Sequence, residues 1–278
     1  MKFKVLFFAL LITSIKISAQ NRKFEDEIVS EGTKLYKTEM ASWYGTDLFL
    51  EKFKDSTSLS GGYFSYIEND KIKNVFFSKA EPVKIIFTVT FDSTFNTQTA
   101  LIDKNPQVLN TIENEILSLR RAALKLFQND TFFENYKNTG TNFIPLIEKN
   151  ENKVYIITSP KKNNQIIFGN DYLLKFDKKN MLTSKIKLHR NMISSSLVGE
   201  KDEKLTTTYH THKLETGEYI TATDVCTLML YGKFAQWRTH YVMSDNLINI
   251  WDCDKNILVV ITRKAWERIK KDQRKEKD

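Results

Sequence analysis

The chain has 278 residues, of which 41% are hydrophobic and 12% aromatic, with only 9 Gly and 4 Pro. That composition excludes a disordered stalk or a low-complexity array and leaves a globular protein of one or two domains with a substantial core. Lys and Arg number 42 against 34 Asp and Glu, a net charge of +8, which is too mild and too interleaved with acids to mark a nucleic-acid-binding protein.

Residues 1–19 read as a secretory signal peptide. Lys2 and Lys4 give a positive start, Val5 to Ile15 form an apolar run, and Ser18 and Ala19 supply small residues before a cut near Ala19 or Gln20. The run is shorter than the roughly 20 residues needed to span a bilayer. No Cys follows it, so it offers no lipid attachment site. The expectation is an exported chain, periplasmic or secreted, with no stable membrane span after cleavage. Without Lys2, Lys4 and Lys16 the charge balance becomes 39 to 34, a net +5.

Residues 20–148 are expected to form an N-terminal α+β accessory region. Residues 24–54 read as helical, with Ile28, Leu35, Met40, Trp43 and Leu50 among the apolar positions, and Gly32 and Gly45 dividing the helix into two or three pieces. Residues 63–67, 75–78 and 84–91 are β-branched and aromatic, with Asn69-Asp70 and Glu81-Pro82 between them, which predicts an antiparallel meander. Pro106 is placed to open the strongest helix, since Val108, Ile112, Ile116, Leu119, Ala123 and Leu126 follow helical spacing. A polar segment over 129–141 then leads to a soft boundary near Lys149.

Residues 149–270 form the second part. Strands are expected at 154–158, at 172–176 and 182–188 as a hairpin, at 205–209 running into His210, and at 241–243, 247–251 and 257–261. A helix is expected from Thr221 to Tyr231. Residues 271–278 are a charged tail. From Arg263 onward, eight basic and four acidic residues interleave, the pattern of a solvated helix end. The fold class is therefore α+β. Cys226 and Cys253 are the two cysteines; in an exported chain they can pair, although Cys226 sits in an apolar stretch that equally suits a buried thiol.

One constellation carries chemistry. Only four histidines occur, and His210 and His212 stand two apart at a strand end, where their side chains share one face. Thr221 is a good N-cap, which puts Asp224 in the first helical turn. Two imidazoles and a carboxylate with a fourth position for water make a catalytic zinc shell. The same Thr-x-x-Asp pattern is also a capping box that need serve only its helix. His189, beside Arg190, reads as structural, as does His240, although His240 begins a strand and can approach the site.

The segment from His210 to Asp224 resembles the core of the JAMM (MPN/JAB) metalloproteases, in which a strand ending in His-x-His leads through a loop of fixed length to Ser-x-x-Asp opening a helix. The likeness covers at most the last 120 residues, its specific part about 15. The whole chain also resembles exported bacterial proteins that share this tail. The resemblance implies a mixed sheet with a helix, zinc held by His210, His212 and Asp224, and Thr221 supporting an oxyanion. It further implies hydrolysis of a peptide, isopeptide or other amide bond in a peptide or protein substrate. Three departures stand: eight loop residues instead of seven, Lys213 where Pro is usual, and Thr for Ser. The family's upstream catalytic Glu has no counterpart by motif; Glu148, Glu151, Glu200, Glu203, Glu215 and Glu218 remain open. The alternative is a non-catalytic exported binding module on the same scaffold.

Overall fold

In the computed structural model, which describes residues 2–196 and 206–275, the longest element is one helix, α1 (Lys2–Lys52). Its buried positions Gly32, Leu35, Thr38, Ala41, Ser42, Gly45, Leu48 and Phe49 repeat every three or four residues, the stripe expected of a helix facing a core. The two glycines therefore do not break it, contrary to their propensity. They lie on the stripe where neighbours come closest. A Cβ on Gly32 would sit 2.5 Å from the Val225 Cβ, and one on Gly45 would sit 2.2 Å from the Asn74 side-chain oxygen. Close approach and tertiary burial outweigh a helix cost of about 1 kcal/mol per glycine. Among the described residues no helix is long and apolar enough to cross a membrane.

The meander forms as expected from β1 (Ser60–Glu68), β2 (Lys71–Ser78) and β3 (Lys84–Phe91), with β4 (Leu101–Asp103) and β5 (Gln107–Val108) both pairing with β3. Asn69 and Asp70 turn between the first two strands with φ of 49° and 59°, as a tight hairpin requires. Ala41, Leu48 and Phe49 of α1 pack onto Ile72, Phe76, Phe87 and Val89 of this sheet. Each such side chain, fully buried, contributes about 1.5–3 kcal/mol.

The next helix, α2 (Thr111–Asn129), starts later than Pro106. Asn110 accepts from the Glu113 N–H at 2.9 Å, and Glu113 Oε2 accepts from the Asn110 N–H at 2.8 Å. This reciprocal cap fixes the start, while Val108 lies in β5 and is exposed.

The rest of the chain supplies β6 (Thr139–Ile147), β7 (Asn152–Pro160), β8 (Gln165–Gly169), β9 (Tyr172–Phe176), β10 (Leu182–Lys187), β11 (Met192–Ser196) and β12 (Thr207–Thr211). It continues through α3 (Ala222–Tyr231), β13 (Thr239–Met243), β14 (Leu247–Asp252), β15 (Ile257–Thr262) and α4 (Arg263–Lys275). One antiparallel sheet runs β10-β9-β7-β6, and α2 covers it through Leu119 and Ala123 against Val154, Ile156, Tyr172 and Leu174. The soft boundary at Lys149 falls in the turn joining β6 to β7, which are hydrogen-bonded neighbours. β8 and β11 form a two-stranded ribbon. The last sheet runs β12-β13-β14-β15 and is mixed: β12 is parallel to β13, the others antiparallel. The parallel pair is joined through α3, as a parallel connection requires a crossover.

Helix α3 packs on α1 through Ala222, Cys226 and Leu230 against Leu35. Its other side, with Val225 and Leu228, meets Ile166, Phe168, Val242 and Trp251. Cys226 and Cys253 are both free and buried, so no disulfide links them; they sit in separate hydrophobic clusters. Trp237 and Trp251 are core residues.

Candidate metal centre

β12 delivers His210 and, one residue beyond its end, His212, while α3 delivers Asp224 from its first turn. A third histidine completes the group. His189 follows β10, and its Nε2 lies 3.0 Å from Asp224 Oδ1. His210 Nε2 is 3.5 Å from the same oxygen, His212 Nε2 is 3.4 Å from Oδ2, and the two Nε2 atoms are 3.1 Å apart. The four donor atoms lie within 4.8 Å of one another and all four residues are buried. Tetrahedral zinc with ligands at 2.0–2.1 Å has donor–donor edges of about 3.3 Å, and the four separations above, 3.0–3.5 Å, are close to that length, although they reach both carboxylate oxygens of Asp224.

The other ring nitrogens are held from outside. His212 Nδ1 donates to the Tyr219 carbonyl at 2.9 Å, which leaves its Nε2 as a lone pair facing inward. His210 Nδ1 is 2.8 Å from His240 Nε2, and His240 Nδ1 is 2.7 Å from the Thr208 hydroxyl. This chain admits two proton arrangements. When His210 donates to His240 and His240 to Thr208, the His210 Nε2 is a free lone pair. With the direction reversed, His210 Nε2 donates to His212. His189 Nδ1 has no hydrogen-bond partner, and the Asp171 carboxylate stands 3.7 Å away. Asp171 is itself fixed by the Thr158 N–H at 2.9 Å. Outer partners of this kind orient metal-bound histidines and fix their tautomers.

Thr221 and Asp224 form a full capping box. The Asp224 N–H donates to Thr221 Oγ1 at 3.1 Å, and Asp224 Oδ2 accepts from the Thr221 N–H at 2.9 Å and from its hydroxyl at 2.8 Å. The two readings of Thr-x-x-Asp are thus not exclusive: the cap aims the carboxylate, and the carboxylate meets the histidines. The Thr221 hydroxyl donates its proton to Asp224 Oδ2 and so orients that carboxylate. Phe168 stacks on His240 and lies tilted against His210, with Trp237 behind, so an aromatic wall closes one side.

The electrostatics suit a cation. Burial works against an ionised Asp224, but the His189 and His210 charges and the contacts from His189 and His212 reverse this and hold its carboxyl well below the usual range. Burial, reinforced by the neighbouring histidines, pushes His210 well below its ordinary value against the pull of Asp224. His240 falls to about 4, mainly through burial. Burial also opposes a charged His189, yet Asp224 and then Asp171 outweigh it and raise its pKa. Burial lifts Asp171 to about 6. The cluster thus holds an ionised Asp224 and a neutral His210, and a metal entering it would displace the proton that Asp224 and Asp171 favour on His189.

No glutamate joins this group among the described residues. Glu148 pairs with Lys34 at 2.6 Å, Glu151 with Lys175 at 3.3 Å and Glu215 with Arg190 at 3.3 Å. Glu218 accepts from the Asn246 N–H at 2.9 Å. Glu200, Glu203 and Leu205 lie outside the described residues. A small pocket opens beside the cluster, bordered by His189, His210, His212, Arg190 and Lys213.

Of the residues expected to ligate metal, His210, His212 and Asp224 come together, and His189, expected to be structural, joins them. His240, expected to be able to approach the site although read as structural, contacts His210 at 2.8 Å. The signal available was compositional: the chain has four histidines in all, and all four meet here. No family model, curated protein or solved structure matches the chain.

Proposed function

We propose that this chain is an exported zinc-binding module whose ion is held by His189, His210, His212 and Asp224. The observation that carries the reading is the convergence of four buried metal-ligating side chains whose donor atoms lie within 4.8 Å of one another, with outer partners at His210 and His212 and a carboxylate beside His189. Three imidazoles and one carboxylate suit zinc, with its preference for nitrogen and oxygen donors in a four-coordinate shell. With His189 as a fourth protein donor, no position would remain for the water of a three-ligand hydrolase site, and a closed shell of that kind is the signature of a structural or binding role. The ion ties the loop after β10, the end of β12 and the start of α3 together. The signal-peptide pattern of residues 1–19 supports a periplasmic or secreted location.

A second reading keeps the JAMM-like chemistry: hydrolysis of a peptide or other amide bond. Its support is the pocket bordered by three of the four ligands, through which a substrate carbonyl can reach the ion once His189 swings out. In that reading a bound zinc would supply Lewis-acid polarisation of the carbonyl and a more acidic water. His210, His212 and Asp224 hold the ion, Thr221 orients Asp224, and the proton acceptor is not among the glutamates paired above.

The test uses the purified chain saturated with zinc and gel-filtered. One zinc per chain is expected by elemental analysis, and the His210→Ala, His212→Ala double variant should lose it. Full metal content in that variant would overturn the reading. Cleavage of a peptide-amide library by the zinc-loaded chain, abolished in the double variant, would select the second reading over the first.

A further inference from the structure

A second site, which none of the four ligands lines, lies where α1, α2, α3, β1, β6 and β7 converge. A cavity of about 250 Å³ there adjoins a smaller lobe of about 60 Å³. Glu39, Ser42, Tyr63 and Asn142 border both. Arg120 borders the smaller lobe, while Ile157 and Leu230 form an apolar wall of the larger. Together the two lobes reach only the lower end of the roughly 300–1,000 Å³ of pockets for drug-sized molecules, which favours a small occupant.

The polar lining is unusual in what it lacks. Glu39 and Arg120 face the same small lobe but form no ion pair with each other or with any other described residue. Glu39 accepts one hydrogen bond, from Asn142 Nδ2 at 2.6 Å. Arg120 makes no hydrogen bond among the described residues, and the buried Thr46 Oγ1, on the larger cavity, has no partner. A guanidinium withdrawn from water is costly unless something pairs with it. Burial pulls the Arg120 pKa down and lifts Glu39 to about 7, with the Asn142 contact opposing. Burial thus works against the charged form of each of these half-buried groups, with only Asn142 opposing it at Glu39 and Tyr63 opposing it at Arg120.

One ligand chemistry relieves both. We propose that this cavity binds a small apolar α-amino acid, its carboxylate on Arg120, its ammonium on Glu39 and its side chain along Ile157 and Leu230. A guanidinium is matched to carboxylate in geometry as well as charge. The Thr46 hydroxyl is then available to either polar end. Trp43 lines the larger cavity and is half exposed, so occupancy should alter its fluorescence.

The experiment titrates the purified full chain with L-alanine, L-valine, L-leucine and L-phenylalanine, read by calorimetry and Trp fluorescence. At least one should bind with a dissociation constant under about 1 mM. Removing either charge, as in the N-acetyl amino acid or the corresponding amine, should weaken binding about tenfold or more. Glu39→Gln and Arg120→Met, each checked for an unchanged circular-dichroism spectrum, should do the same. The comparison of half-ligands on the unaltered chain decides the matter even if a variant misfolds. No saturable signal up to about 10 mM for any of the four amino acids overturns the proposal. Equal binding of the half-ligands, or undiminished binding by both folded variants, overturns it as well.

Discussion

His189→Ala is the perturbation that separates a four-ligand centre from a three-ligand one. His189 Nε2 is 3.0 Å from Asp224 Oδ1 and shares the buried donor group with His210 and His212. Structural zinc in a four-ligand shell contributes about 10–16 kcal/mol of binding free energy, so one ligand accounts for roughly 3–4 kcal/mol, or about 10²–10³-fold in affinity. Competition against a chromophoric chelator measures this directly. Thermal melts with and without chelator give an independent reading. At free zinc about 100 times its dissociation constant, the unaltered chain gains about 2.7 kcal/mol, worth roughly 5 °C in a chain of this size. At that zinc concentration the variant gains under about 0.5 kcal/mol. The metal-free variant is also destabilised, by about 2–4 kcal/mol, through the cavity and the weakened pairing of Asp224; the zinc-dependent increment isolates the ligand effect from that loss. Unchanged zinc affinity together with an unchanged zinc-dependent melting shift would refute the assignment of His189.

Other outcomes follow from the same geometry. Asp171→Asn, which removes the carboxylate beside His189 Nδ1 but no ligand, should weaken zinc binding about 10–100-fold in the chelator assay. Gly32→Ala should destabilise the fold by about 1–3 kcal/mol in urea unfolding despite the better helix propensity of Ala, because its Cβ would meet Val225 at 2.5 Å. Glu39 has a folded pKa raised by burial to about 7, above its unfolded value near 4.3. The folded state then binds more protons than the unfolded one in that window. Its contribution is fully present below about pH 4 and is lost as pH rises through 7, by at most about 4 kcal/mol. Glu39→Gln should therefore stabilise the ligand-free chain at pH 8 and change little at pH 4.5, as read by urea midpoints at the two pH values.

The contrast between His212 and His189 explains how far the site was legible in the sequence. His210, His212, Thr221 and Asp224 lie within 15 consecutive residues, and strand alternation plus a helix cap suffice to bring them together. His189 stands in a connection 21 positions before His210, and only the packing of the β9–β10 hairpin against α3 delivers it. The same distinction runs through the fold. The β1–β3 meander and the β9–β10 hairpin are local and follow from turn residues. β6 was hidden in a segment read partly as polar connector, because Gly140 and Pro145 interrupt its pattern; as an edge strand beyond β7 it tolerates Pro145. β8 and β11 are short and pair across more than 20 residues, a contact that no local pattern announces. The start of α2 was misplaced because Pro106 is a general start signal, whereas the Asn110–Glu113 capping box decides the position. The continuity of α1 depends on Val225 and Asn74, which its own sequence does not contain.

X-ray absorption at the zinc edge of the stoichiometrically loaded chain tests the central claim most directly. The account predicts four nitrogen or oxygen neighbours at about 2.0–2.1 Å, three of them with the outer-shell scattering of imidazole, and no sulfur. A spectrum with two imidazoles and a bound water, a sulfur neighbour at about 2.3 Å, or a preparation that retains no zinc would contradict it.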